Sequence, residues 1–331
     1  MPTLSSQDAR FEEAVEAVID GDIQTLDRLL RASPDLVHAR SSRSHRATLL
    51  HYVGANGVED ERQRTPKNAV EVASLLLDAG ADVNARADMY GGSDTLGLVA
   101  TSIHPLKAGV QEALMTLLLA RGATVAGATG GAASSSVINA CLANGRPSAA
   151  EFLALRVERL DLEAASGLGR LDDVKAFFDE TGALTAGATT REMHDGFSWA
   201  CEYGRTEVVD FLLRHGVDAA MRLRPHQQTG LHWAAYGGHD QTVRVLLAHQ
   251  PPLDARDASF DGTPLGWALY AWGGGREHFA SEGYYEVVRL LVSAGATVAD
   301  EWLKDSSRGF PIATRIREDA RMRELVAGDG P

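Results

Sequence analysis

Residues 195–216 read DGFSWACEYGRTEVVDFLLRHG, and residues 229–250 read TGLHWAAYGGHDQTVRVLLAHQ. Laid over each other, the two stretches share a tryptophan, a glycine and a leucine pair in step. A third copy opens at 263–271 as TPLGWALYA and continues at 284–295 as YYEVVRLLVSAG. Trp199, Trp233 and Trp267 stand 34 residues apart, and Leu212-Leu213 and Leu246-Leu247 keep the same interval. Self-similarity at a fixed period of this size is the sequence mark of a repeat array, in which each unit buries its apolar face against its neighbours.

One unit reads physically as two helices and a turn. Thr229 supplies a side-chain oxygen for a free backbone N–H at the start of a helix. Leu231, Ala234 and Ala235 fall on one side of that short helix, and Gly238 suits the left-handed residue that ends it. Val243, Leu246 and Leu247, at i, i+3 and i+4, form the apolar stripe of a second helix. A polar stretch, Leu253-Asp254-Ala255-Arg256-Asp257, then leads to Asp261-Gly262, a tight-turn signal, and to the next Thr at 263.

The unit resembles the ankyrin repeat. The family's T-P-L-H-x-A-A opening is carried by Thr229-Gly230-Leu231-His232-Trp233-Ala234-Ala235, followed by Gly238-His239, Val243 and Leu246-Leu247. The family's closing segment is matched by Leu77-Asp78-Ala79-Gly80-Ala81-Asp82-Val83-Asn84-Ala85. The resemblance extends over residues 11–327 and implies an all-α solenoid of about eight helix-turn-helix units with short β-hairpin fingers, irregular near the middle. Residues 311–326 are expected to form a last helix whose Arg315, Arg317, Glu318, Arg321 and Glu324 make a solvated capping face.

The departures from the pattern divide the chain. Charged residues near 58–68 lengthen the second unit, a smaller insertion around Ile103–Gly109 the third, and Trp272–Gly283 the eighth. Such insertions are tolerated drift or extra binding surface. Gly145 to Gly169 is a short fourth unit with its finger expected to be missing, and an uncharged Gly/Ala/Ser loop at Gly122–Ser136 precedes it. Two halves are therefore expected, 1–136 with inter-helix insertions and 137–331 with the regular repeats and the cap.

Composition narrows the function. A formal charge of −13 disfavours non-specific nucleic-acid binding; it serves solubility or favours a basic protein partner. Cys141 and Cys201 form neither a disulfide framework nor a zinc knuckle. The first twenty residues lack a signal-peptide pattern, and no apolar run approaches a membrane span, so a cytoplasmic protein is expected. The alanine- and arginine-rich composition suggests a GC-rich bacterial source. No phosphate loop or nucleophile elbow is present, and neither cofactor nor metal is expected.

The resemblance places Trp199, Trp233 and Trp267 near the inner face that partners meet in this family. Tyr203, Tyr236 and Tyr270 follow on the same helices, with Trp272 one position further, and Arg222 and Arg224 lie in a finger. Tyrosine and tryptophan are the anchors that interfaces use, although tryptophan here also packs between repeats. His51 and His232 take the family's T-P-L-H position, where the imidazole bonds backbone groups within and between repeats. The expected function is a scaffold or adaptor that binds a partner protein, or an inhibitor of a basic one. The alternative is an enzyme or small-ligand protein using His194, Glu202, Tyr203, His232 and Tyr236 in the C-terminal inner face.

Overall fold

A computed structural model describes residues 6–54, 59–125, 136–223, 226–275, 282–298 and 312–327. The chain divides into two compact units, 1–158 and 159–331. In the first, α1 (Ser6–Asp20) pairs with α2 (Ile23–Ala32). Next comes a 3-10 segment, Leu49–Gly54, with α3 (Ala69–Asp78) as its partner. Then α4 (Thr95–Thr101) pairs with α6 (Gln111–Ala120), the insertion at 103–109 forming the short α5 (Ile103–Lys107) between them. The last pair is α7 (Val137–Ala143) and α8 (Pro147–Ala154). The first members stack as one row and the second members as another. The pair α7 and α8 packs on α4 and α6, so the division falls after residue 158 and not, as expected from the loop at 122–136, after 136.

The second unit repeats the two-row plan. Its inner row is α9 (Leu162–Leu168), α11 (Thr190–Glu202), α13 (Gly230–Tyr236) and α15 (Pro264–Tyr270). Its outer row is α10 (Leu171–Lys175), α12 (Thr206–Arg214), α14 (Asp240–Ala248) and α16 (Glu282–Ser293). The leucine and valine positions of the repeat meet between the rows, where Val209, Leu212, Val243, Leu246, Val287 and Leu291 are fully buried. The final stretch holds two helices rather than one, Ile312–Glu318 and Ala320–Ala327. Asp319 separates them; it accepts from the Met322 N–H at 2.8 Å and from the Tyr285 hydroxyl at 2.6 Å. Met322 is buried, while Arg315, Arg317, Glu318, Arg321 and Glu324 are exposed.

Helix starts follow the capping chemistry read from the sequence. Asp161, Thr189 and Thr263 each accept an N–H three residues on, and Thr189 forms a reciprocal box with Glu192. In two repeats histidine performs the return half of this box. His51 Nδ1 accepts from the Thr48 N–H at 3.1 Å, and His232 Nδ1 from the Thr229 N–H at 3.0 Å. His232 Nε2 lies 3.1 Å from the Gly262 carbonyl, which ties the repeat to the next.

A second tie recurs at the entry to the outer helices. Arg205 Nε donates to the Gly167 carbonyl at 3.0 Å, His239 Nε2 to Glu202 at 2.8 Å, and the Tyr284 hydroxyl to Tyr236 at 2.9 Å. Asn68 Nδ2 donates in the same way to Gly21 at 2.8 Å in the first unit. Each donor satisfies a carbonyl at the end of the preceding inner helix, where no intrahelical partner exists. The close approach explains Gly204: its φ is +66°, and a Cβ there would sit 2.6 Å from His239 Nδ1.

Among the described residues, two fingers are hairpin-like turns closed by single antiparallel bridges, Phe178 with Leu184 and Leu223 with Gln228, rather than by strands. Arginines link them. Arg40 Nη1 donates to the carbonyls of Arg46 and Arg86, at 2.9 and 2.7 Å. Arg222 Nη1 donates to those of Gln227 and Arg256, at 3.0 and 2.8 Å. The charged insertion of the second repeat, in the first unit and described from Glu59 onward, is a strap pinned to α1. Arg62, 9% exposed in its side chain, meets Glu12 at 2.6 Å, Glu16 at 2.9 Å and Glu59 at 3.3 Å. Arg43 also pairs with Glu59, and Arg64 reaches Asp20 at 2.8 Å.

Candidate functional site

The inner helices of the second unit bring the aromatic residues of successive repeats together. Trp233 and Trp267 meet edge to face, with centroids 5.2 Å apart and planes at 83°. Tyr236 packs on both, 6.3 Å from Trp233 and 5.5 Å from Trp267. His232 adds its ring edge to Trp267 at 5.6 Å from beneath. The three large rings are half-buried, each with one part in the repeat interface and another at the surface. Offset and edge-on arrangements of this kind suit the quadrupoles of the rings and hold them in one geometry.

Phe260, a finger residue that the repeat pattern does not single out, extends the cluster. It is 64% exposed and lies 6.3 Å from Trp267. Asp257 builds the turn that presents it. Its carboxylate accepts from the N–H groups of Ser259, Phe260 and Gly262, and from Trp267 Nε1 at 3.0 Å. The indole N–H is thus satisfied within the protein, leaving carbon edges and faces toward solvent.

Trp199 stands on α11 and is also half-buried, with its Nε1 donating to Glu163 of α9 at 2.8 Å. Burial, reinforced by the neighbouring carboxylates of Asp195, Asp161 and Glu192, pushes the Glu163 carboxyl up to about 7, against the pull of the Trp199 hydrogen bond. Tyr203 and Tyr270 are half-buried at the ends of α11 and α15. Trp272 differs from the other tryptophans: it is buried, 6.3 Å from Tyr285 and beneath the Arg315 guanidinium, in the packing of the cap. Arg222 is exposed but holds two finger carbonyls through Nη1, and Arg224 lies outside the described residues.

Of the residues named for acid–base chemistry, His194, Tyr203 and Tyr236 are half-buried. His232 is fully buried, with Nδ1 on Thr229 and Nε2 facing the Gly262 carbonyl, and burial brings its imidazole down to about 4. Glu202 is buried, and its carbonyl accepts from His239. Among the described residues, no group of three or more His, Cys, Asp or Glu side chains is placed to hold a metal ion, and no helix is long and apolar enough to cross a membrane.

The family description "Ankyrin repeats (3 copies)" matches residues 137–257 and again 197–301. Residues 137–301 are ankyrin repeats. The aromatic cluster therefore occupies the first helices of consecutive ankyrin repeats, with Phe260 on the finger between two of them. Among solved structures, the crystal structure of the human ASB11 ankyrin repeat domain aligns over 86% of this chain and 99% of that domain, at 20% identity and a TM-score of 0.40. No curated protein sequence matches the chain.

Proposed function

We propose that this ankyrin-repeat protein is a binding module for another protein, held on the inner helices and fingers of its second unit. The observation that carries this reading is the packed aromatic group of Trp233, Tyr236 and Trp267 with the exposed Phe260 beside it. Aromatic rings fixed before binding offer large contact area at little further cost in side-chain entropy. The indole N–H of Trp267 is satisfied internally by Asp257, as that of Trp199 is by Glu163, so a partner need not satisfy either. The charge of −13 favours a basic partner, and either an adaptor or an inhibitor of such a protein acts in this way. The protein is placed in the cytoplasm on this reading.

The test is affinity capture from the source organism with the wild-type chain, beside a Trp233→Ala/Tyr236→Ala variant whose folding is confirmed by circular dichroism. A partner retained by the wild type and lost by the variant is the expected result. A partner held equally by both moves the binding surface away from these rings.

A further inference from the structure

The histidine caps put Thr48 and His51 of the second repeat in register with Thr229 and His232. The residue after each histidine is aromatic, Tyr52 in one repeat and Trp233 in the other. Trp233 is half-buried, whereas Tyr52 is 1% exposed. The rings of Phe11 and His45 lie against Tyr52, with centroids at 6.5 and 6.2 Å. Burial, reinforced by the Glu59 carboxylate beside it, holds the Tyr52 hydroxyl above the usual tyrosine range. Glu59 belongs to the strap. The strap therefore lies over the inner-face position that the second unit leaves partly open.

It fits that place by charge. On one side stands the finger, with Arg43 and His45. On the other stands α1, with Glu12, Glu16 and Asp20 spaced about one turn apart. A 3-10 turn at Asp60–Arg62 sets Glu59 and Arg62, three residues apart, on the same side of the strap. Both are buried. Glu59 pairs with Arg43 and lies 3.6 Å from His45 Nε2. Arg62 reaches back to Glu12 and Glu16, and Arg64 to Asp20. The acid thus faces the finger and the bases face the helix. From Glu59 to Arg64 the side chains are Glu, Asp, Glu, Arg, Gln and Arg, with no apolar one among them. A segment with no apolar anchor opens locally at less cost than a core helix does, and its ion pairs can be replaced by those of another segment of the same pattern.

We propose that the strap is a built-in ligand, which fills the inner face of the first two repeats and closes it to partners. The outside segment that this face takes carries the strap's own charge order, an acidic residue followed three and five positions later by arginines. The proposal rests on the reading that inner faces of this protein bind other proteins, and extends it from the second unit to the first.

The variant Glu59→Ser/Arg62→Ser/Arg64→Ser frees the face at constant chain length. The probe is a fluorescein-labelled, end-blocked peptide of residues 59–67, EDERQRTPK, read by fluorescence anisotropy on the full chain. Its three acids and three bases cancel, so net attraction to an acidic protein does not drive its binding. The peptide is expected to bind the triple variant about tenfold more tightly than wild type, and more weakly as salt is added. Adding Glu12→Gln/Glu16→Gln is expected to weaken it about tenfold. Adding Trp233→Ala/Tyr236→Ala is expected to change nothing, and a peptide of scrambled order to bind neither protein. No binding by the folded triple variant, equal binding by wild type, or equal binding of the scrambled peptide overturns the built-in ligand. Each leaves the capture test on the second unit untouched. Binding lost with Trp233→Ala/Tyr236→Ala overturns it too, by moving the peptide to the second unit. Should circular dichroism show the triple variant unfolded, Arg64→Ala takes its place, with hydrogen exchange of residues 60–64 as the readout. Excess peptide is then expected to quicken that exchange as it displaces the strap, and unchanged exchange overturns the proposal.

Discussion

His51 and His232 are buried as neutral imidazoles, each brought down to about 4 by burial, against 6.5 in the free side chain. The unfolded chain takes up their protons first as the pH falls. Their contribution is complete above about pH 6.5 and is lost progressively toward pH 4, on the order of 3 kcal/mol each. Urea midpoints between pH 7.5 and 4.5 are expected to fall, and to fall less steeply in His232→Gln. Glu163 has the opposite sign. Its folded value, about 7, lies above the free value of 4.5, so its protonated form stabilises the fold at low pH and this is lost as the pH rises between the two. Glu163→Gln is therefore expected to stabilise the protein by about 2 kcal/mol at pH 8 and hardly at all at pH 4, read from the same midpoints. The histidine caps were legible in the sequence because Thr-x-x-His is local. Glu163 and Asp257 were not, because their tie to an indole N–H spans 36 residues in one case and crosses a finger in the other. Phe260 has no counterpart in the repeat to mark it, and Trp272 follows the half-buried rings in sequence while the cap that buries it lies far along the chain.

Among the elements, the strap of the second repeat has the largest energetic stake in a single side chain. Removing Arg62 would leave Glu12 and Glu59, partly or wholly out of water, to the more exposed Arg43. Arg62→Ala is expected to cost about 3 kcal/mol, whereas Arg64→Ala, whose side chain is 45% exposed, is expected to cost less than about 1 kcal/mol. Circular dichroism in denaturant checks both. All five tryptophans lie in the second unit, so their fluorescence reports that unit separately. The charges of the insertion were legible, but not their use, since a charged loop and a pinned strap have the same composition. The 3-10 segment at Leu49–Gly54 also departs from the regular helix. Its end is crowded: a Cβ on Gly54 would stand 2.9 Å from Leu98 Cβ. The regular helix pairs were legible because their apolar period and caps agree with one another.

At the scale of the molecule, the second unit is a row of near-equal modules, each held by its neighbours, and its end depends on the cap. Met322→Ala would open space beneath Ala320–Ala327 and is expected to cost about 3 kcal/mol. Hydrogen exchange should quicken first in α15 and α16 and last in α9. The helix-pair plan was legible from the residues that recur in step, and the kind of module from the resemblance to the ankyrin repeat. The division after residue 158 was not, because the loop at 122–136 has the composition of a linker while the pair that follows it packs backward on α4 and α6. The ties at the entry to the outer helices bear on how such a row lengthens. Asparagine, arginine, histidine and tyrosine all serve as donors, and the acceptor is always main chain. A carbonyl is offered by every module whatever its sequence. A tandem duplication therefore brings its own fastening with it, and needs no matching mutation in the module onto which it is inserted.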